Sequence, residues 1–531
     1  MIRTFFFLLI PAVIFLLGNM LTAQQINTNK DTVPITADHS KFPTLKQKFT
    51  TAPEVTKACL GCHTEAANQI MSTIHWTWIC PKSQEGNVGK KWVINNFCVS
   101  VQSNEPRCTS CHAGYGWRDN SFDFTEERNV DCLVCHDTTG TYKKFPTGAG
   151  HPVYEEKTFN GKVYKVPDFN YIAQNVGQTQ RTNCGACHFY GGGGDNVKHG
   201  DMSSALGSPN FALDVHMDEE GLNFTCTECH TTQAHQISGR CYSHPAYPPG
   251  EQFQLPLTDQ KRIFCESCHS SEPHIQTKKL NHHTDKIACQ TCHIPEIARA
   301  MPTKMRWDWS KAGKFQENGE MIVSYDENGF LTYHTKKGEF IWEKNAVPEY
   351  YWFNGVVTNT LFGDRVDDTK PVKINQLHGH YHDPNAKIWP FKVHRGIQPY
   401  DKARKTLVVP KLFGNKDSGA YWQEYDWQKA INAGMDYADA EYSGEFGWIE
   451  TEMYWIISHS VAPIEKALSC QSCHQDQGRL ENVRGFYLPG RDKHALVDTL
   501  GFLVVGFSLM GVTLHGIGRA IHTKNKKDET Q

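Results

Sequence analysis

Cys59-Leu60-Gly61-Cys62-His63 is the stretch on which the reading of this chain turns, because its pattern returns seven more times. Cys108, Cys111 and His112 repeat it, as do Cys132, Cys135 and His136, and then Cys184, Cys187 and His188. Further on come Cys226, Cys229 and His230; Cys265, Cys268 and His269; Cys289, Cys292 and His293; and, far downstream, Cys470, Cys473 and His474. Cys-x-x-Cys-His is the attachment pattern of c-type haem. The two thiols add to two vinyl groups on one edge of the ring, and the adjacent histidine becomes the proximal iron ligand. A single copy would serve equally as half of a zinc site or as a thiol redox pair. Eight copies, every histidine in register, do not fit those readings. The expected cofactors are eight covalently attached c-type haems and their iron.

Both chain ends agree. Met1-Ile2-Arg3 leads into an apolar run from Phe5 to Leu17 that ends on small residues at Ala23, so residues 1–23 read as a secretory signal peptide, with a retained anchor as the alternative. Either one puts the body outside the cytoplasm, where haem attachment is completed. Residues 496–518 form a second apolar segment, about the 20 residues a membrane helix needs. Arg519, Lys524, Lys526 and Lys527 follow it, which places the tail, residues 519–531, in the cytoplasm and the body in the periplasm. The net charge of −3 gives no reason to expect a nucleic-acid partner.

Residues 24–55 read as an N-terminal strap and 56–495 as the haem-bearing module. Seven motifs crowd into residues 56–295 and leave little room for sheet. The expected fold class is mainly α with much irregular structure, built around a haem core, plus one C-terminal transmembrane helix. Residues 296–469 carry no motif and are rich in Trp, Tyr, Gly and charge, with His378, His380, His382 and His394 among them. This segment is expected to wrap the core and lend it distal ligands. Gly191 to Gly194 read as a flexible loop, since no phosphate-binding Lys-Ser/Thr follows.

Of 27 histidines, eight are proximal, so enough remain to give every haem a second one. A haem with two histidines passes electrons; one with a vacant or displaceable position can do chemistry. The expected distal ligands are His75, His151, His199, His216, His235, His274, His283 and His459, with Met202 and Met217 as thioether alternatives.

Five stretches resemble one family: NNFCVSVQSNEPRCTSCHAGYGW (95–117), VDCLVCHDTTGTYKKFPTGAGHP (130–152), CGACHFYGGGGDNVKHGD (184–201), ACQTCHIP (288–295) and SVAPIEKALSCQSCH (460–474). They are similar to the octahaem tetrathionate reductases, over roughly residues 55–475. The resemblance implies a periplasmic reductase of tetrathionate, nitrite or hydroxylamine, related in haem arrangement to hydroxylamine oxidoreductase. It implies seven bis-histidine haems and one catalytic haem, the second, with a lysine as distal ligand and a cysteine nearby. Carried onto this chain, the catalytic haem is held by Cys108, Cys111 and His112. Lys198 is the favoured lysine, with Lys144, beside Lys143, next. Sixteen of the 19 cysteines lie in motifs, leaving Cys80, Cys98 and Cys241. Cys98 is the candidate for the pocket; a Cys80–Cys98 disulfide is the alternative this compartment allows. The C-terminal helix is not carried over from the soluble family member.

The expected activity is that of a membrane-anchored multihaem reductase acting on a small inorganic anion. Its expected partner is a quinol-oxidising cytochrome b type subunit, packed on the helix stripe of Gly501, Ser508, Gly511, His515, Gly518 and His522. The alternative is an electron carrier between such a membrane partner and other cytochromes. A third reading is oxidative, as in hydroxylamine oxidoreductase, which cross-links a tyrosine to its catalytic haem; the sequence identifies no such tyrosine, Tyr487 being a candidate by position only.

Overall fold

The structure, a computed structural model, describes residues 37–79, 88–239 and 263–528. The signal peptide, Cys80 and Cys241 lie outside the described residues.

Helix outweighs strand, 29% to 18%, but much of it is a single long C-terminal helix; most of the rest is short. The haem motifs account for many of the short pieces. In one helical turn, residues i, i+3 and i+4 share a face, so winding Cys-x-x-Cys-His into a turn brings both sulfurs and the imidazole to one side. His63, His136, His230 and His474 each donate their backbone N–H to the carbonyl of the first motif cysteine, at 2.9, 3.1, 2.8 and 2.9 Å. The second motif departs from this. Pro106 starts a single turn at Glu105–Cys108, and the chain then tightens to a 3-10 turn over Thr109–Cys111. His112 bonds back to Thr109 at 2.9 Å and is already extended.

The motif-free segment is a sheet, which the sequence reading did not anticipate there. Nine strands are involved: β1 Thr303–Asp308, β2 Val323–Tyr325, β3 Leu331–His334, β4 Gly338–Glu343, β5 Glu349–Phe353, β6 Val372–Lys373, β7 Lys387–Asp401, β8 Thr406–Leu407 and β9 Phe446–Ile456. The order is β6-β9-β7-β1-β4-β3-β2, with β5 and β8 also paired to β7. The sheet is mixed: β7 runs parallel to β1 and antiparallel to β9. β7 is buried along most of its length, so its pattern is a nearly continuous run rather than an alternation. Trp307, Trp309, Tyr421, Trp422, Ile431 and Met435 pack the main core against it. Asp426 caps the helix Trp427–Tyr437 by accepting from Lys429 N–H, and Ala430, Ile431, Gly434 and Met435 form its buried stripe.

The C-terminal helix runs Ala495–Asp528, and its residues 495–522 are long and apolar enough to cross a membrane, with none of that span buried against the body.

Candidate functional site

Seven of the eight motif histidines face a second histidine ring across a nearly constant gap. The pairs are His63 with His39 (6.4 Å between ring centres), His136 with His235 (6.2 Å), His188 with His75 (6.2 Å) and His230 with His459 (6.3 Å). The others are His269 with His216 (6.0 Å), His293 with His274 (6.4 Å) and His474 with His283 (6.2 Å). A metal–imidazole bond is about 2 Å long. Two in line put the nitrogens about 4 Å apart and the ring centres, roughly 1 Å further out on each side, about 6 Å apart. The polypeptide alone thus holds seven gaps of the width an iron with two imidazoles needs.

The rings are also turned for it. His136, His230 and His474 donate from Nδ1 to the carbonyls of Gly177, Ser238 and Pro489, at 2.9, 2.8 and 3.1 Å. On the distal side three rings do the same: His235 to Gln69 Oε1 (2.8 Å), His274 to Asn281 Oδ1 (3.0 Å) and His459 to Asp201 Oδ2 (3.2 Å). Holding Nδ1–H in this way fixes the tautomer and leaves Nε2 free for a metal. The donor set fits c-type haem.

Six of the expected distal histidines, His75, His216, His235, His274, His283 and His459, stand in these pairs. His151 and His199 do not. His151 stacks on Tyr115 and bonds Tyr154 Oη at 2.8 Å, and His199 lies edge-on to Trp455. The seventh partner is His39 in the strap, which sequence reasoning passed over although it is the lone histidine ahead of the first motif. Of the histidines in the sheet segment, His378 bonds Thr358 and His394 is buried against Phe97 and Asn96, so only His459 there faces a motif ring.

His112 is the exception. Among the described residues its ring neighbours are Trp76, Trp78, Trp117, Phe122 and Phe124, with no histidine. It is 1% exposed, its Nε2 bonds the Trp76 carbonyl at 2.6 Å, and its Nδ1 is buried with no partner. Burial drives its pKa down to about 3. Gly114 makes room behind it, since a Cβ there would sit 2.6 Å from Trp76 and 3.0 Å from the His112 ring.

The two candidate lysines part company here. Lys144 is committed: it pairs with buried Asp131 at 3.0 Å and donates to the carbonyls of Gly114 and His112. Tyr115 and Tyr142 close the network on the same carboxylate, at 2.7 and 3.0 Å. Among the described residues Lys198 has no such carboxylate. Its Nζ rests 4.5 Å from the Trp455 ring, and burial, helped by Lys90, lowers its pKa to about 8. Both Lys198 and Lys90 lie within electrostatic reach of Cys111. Lys90, which the sequence reading did not single out, is exposed and covers Trp78 at 3.9 Å. Cys98 is half-buried, shares the cavity with these groups and lies within electrostatic reach of Cys108.

The sulfurs of different motifs approach one another and order them. Cys59 lies close to Cys132, Cys111 to Cys187, Cys184 to Cys226, and Cys265 to Cys289, near enough to couple electrostatically. Cys135 with Cys184, Cys229 with Cys268, and Cys292 with Cys473 are within electrostatic reach. Numbered along the chain, the motifs run 8–7–6–5–4, and at the fourth the path forks to the second and, through the third, to the first. A continuous cavity of about 3850 Å³ reaches seven of the eight motifs, well beyond the roughly 300–1,000 Å³ of a single small-ligand pocket.

Three comparisons bear on this site. The crystal structure of an octaheme cytochrome c from Shewanella oneidensis is 46% identical, with a TM-score of 0.73, and the match covers 83% of this chain and 94% of that one. A family model described as bacterial cytochrome c matches residues 304–477. An uncharacterized protein of Archaeoglobus fulgidus is 25% identical over 244 residues, 38% of this chain and 80% of that protein.

Proposed function

The chain belongs to the octahaem cytochromes c, and from that premise we propose that it is a reductase whose one reactive centre is the second motif, Cys108, Cys111 and His112. The observation that carries this is the missing partner: seven motif histidines face a second histidine, and His112, whose Nε2 would leave the Trp76 carbonyl to hold an iron, faces none among the described residues. When bound, the haems supply an electron relay and, at the second motif, an iron that can hold a small oxyanion or thionate as Lewis acid and electron donor.

The chain's own groups suit that task. Lys198 is the favoured distal ligand. A lowered pKa makes the neutral, metal-binding amine accessible, and were substrate to take its place on the iron, the amine would be free to take up a proton beside the anion. Lys90 adds positive charge at the same side. Lys144 and Asp131 hold the His112 backbone from beneath rather than serving as ligand. Trp76, Trp78 and Trp117 exclude water around His112. Cys98 is assigned to the pocket near Cys108. The substrates this reading favours are tetrathionate, nitrite and hydroxylamine. The body is assigned to the periplasm, with the C-terminal helix as anchor, the basic tail in the cytoplasm and a quinol-oxidising cytochrome b type subunit as electron source.

Purified haem-loaded protein, assayed side by side on the three substrates with a viologen donor, tests the proposal. Turnover on at least one is expected, with nitrite, hydroxylamine or cyanide shifting the spectrum of one haem. Eight haems that all ignore these ligands would leave an electron carrier between membrane and other cytochromes.

A further inference from the structure

The chain passes from its eighth motif into the membrane-length helix through a strap that is docked, not free. His474 Nδ1 donates to the Pro489 carbonyl at 3.1 Å. Gly490, at φ +91°, approaches so closely that a Cβ would lie 2.4 Å from the His474 carbonyl oxygen. Arg491 donates to the carbonyls of Leu480 and Phe486, both at 2.9 Å, and of Val483. Asp492 accepts from Leu488 N–H at 2.7 Å, and Lys493 reaches Asp476, two residues past His474, at 2.6 Å. Leu480, Val483 and Leu488 are buried against Tyr350 of β5 and Ile388 of β7. Helix follows at Ala495. Even fully extended, the six steps from Pro489 to Ala495 span only about 20 Å.

Two further observations meet at the same place. The eighth motif is an end of the relay, its sulfur contacts leading only to the seventh among the described motifs. Two large hydrophobic side chains flank it in the chain and stand exposed among polar neighbours such as Lys466 and Arg484: Ile464 is 74% and Tyr487 63% exposed. A tyrosine in the chain just ahead of a membrane-length helix suits the interfacial zone of a bilayer.

We infer that the eighth motif is the relay's membrane port: the docked strap holds it near the bilayer, with the exposed side chains of Ile464 and Tyr487 at the bilayer surface, and it takes single electrons from a membrane-resident donor. This rests on the relay read from the histidine pairs, but not on which anion the second motif reduces.

Two experiments on the full-length, haem-loaded protein in phosphatidylcholine vesicles test it, neither with substrate present. In the first, a photoactivatable phosphatidylcholine is cross-linked and the labelled peptides are mapped by mass spectrometry. Label on the peptides containing Ile464 and Tyr487 is expected; label confined to residues 495–522 would overturn the proposal. In the second, a Gly/Ser insert of about 20 residues is placed between Lys493 and His494. Haem reduction is followed optically with two donors, reduced diheptyl viologen dissolved in the bilayer and a sulfonated viologen radical confined to water. Lengthening the tether lowers the local concentration of bilayer donor at the port, so that rate should fall on the order of tenfold, while the aqueous rate stays the same. Unchanged rates with both donors, or equal losses with both, would overturn the assignment.

Discussion

Lys198 and Lys144 carry the same functional group, and their surroundings separate them. Lys144 has a buried carboxylate and two carbonyls; Lys198 has an aromatic face and a lowered pKa. Replacing Lys198 with Ala should therefore convert one haem in the protein to a high-spin or water-ligated spectrum and change the turnover rate. A normal spectrum here, with an altered one in Lys144→Ala, would move the ligand to Lys144. The Lys144 change should instead destabilise, by about 3–5 kcal/mol, because it strands Asp131 without its partner; thermal unfolding of the holoprotein reads this. Cys98→Ser should lower turnover and keep the full haem content, and undiminished activity on all three substrates would reduce Cys98 to packing. At this scale the sequence was generous where chemistry demands a spacing. The motifs and the VKHGD stretch around Lys198 were visible. His39 and Lys90 were not, because a lone histidine in a strap and a lysine on a tryptophan acquire their meaning from what lies opposite in space.

Among elements, the loop 196–201 shows how the sheet serves the site. Lys392, fully buried on β7, donates to the Val197 and Lys198 carbonyls at 2.5 and 3.3 Å and to Thr303 Oγ1 of β1 at 2.6 Å. Asp201, at the loop's end, accepts from the Ser458 and His459 N–H groups at 2.8 and 2.9 Å. The loop is pinned at both ends, with Lys198 between. Lys392→Met removes three donor contacts, leaves buried carbonyl oxygen unsatisfied at a cost of about 1–3 kcal/mol, and should reproduce the single-haem spectral change of Lys198→Ala in weaker form. A destabilised variant with a wild-type spectrum would sever the clamp from the ligand. The sheet itself was hidden in the sequence for a physical reason. β7 contains Pro390 and Pro399, which read as breaks because proline cannot donate to a ladder, and burial on both faces erased the alternation that identifies a strand. The helix Trp427–Tyr437 offers a sharper test of its packing. A Cβ on Gly434 would lie 1.8 Å from the Val409 carbonyl oxygen, so Gly434→Ala should lower the melting temperature despite alanine's advantage of about 1 kcal/mol in a helix.

Over the whole molecule the motif contacts form a branched path rather than a line. The first motif lies on a side arm, and the seventh on the trunk between the eighth and the fork. His39→Met should then leave turnover at the second motif nearly intact when electrons come from a membrane donor. His274→Met, which alters the seventh motif's partner, should slow it; equal effects in the two variants would refute the branching. The histidine pairs also differ in how far apart their members lie along the chain, and the widest separation joins His230 to His459, beyond the end of β9. That has a consequence for biogenesis. Were the chain exported and loaded with haem from its N-terminus, the fifth motif would have His230 alone until the whole sheet had been delivered and folded, because His459 is positioned by Asp201 and by the strand that precedes it. Closure of that one bond would then be among the last steps of maturation. A chain truncated before His459 would leave a haem midway along its relay open on one side, and so would carry a chemical mark of its own incompleteness.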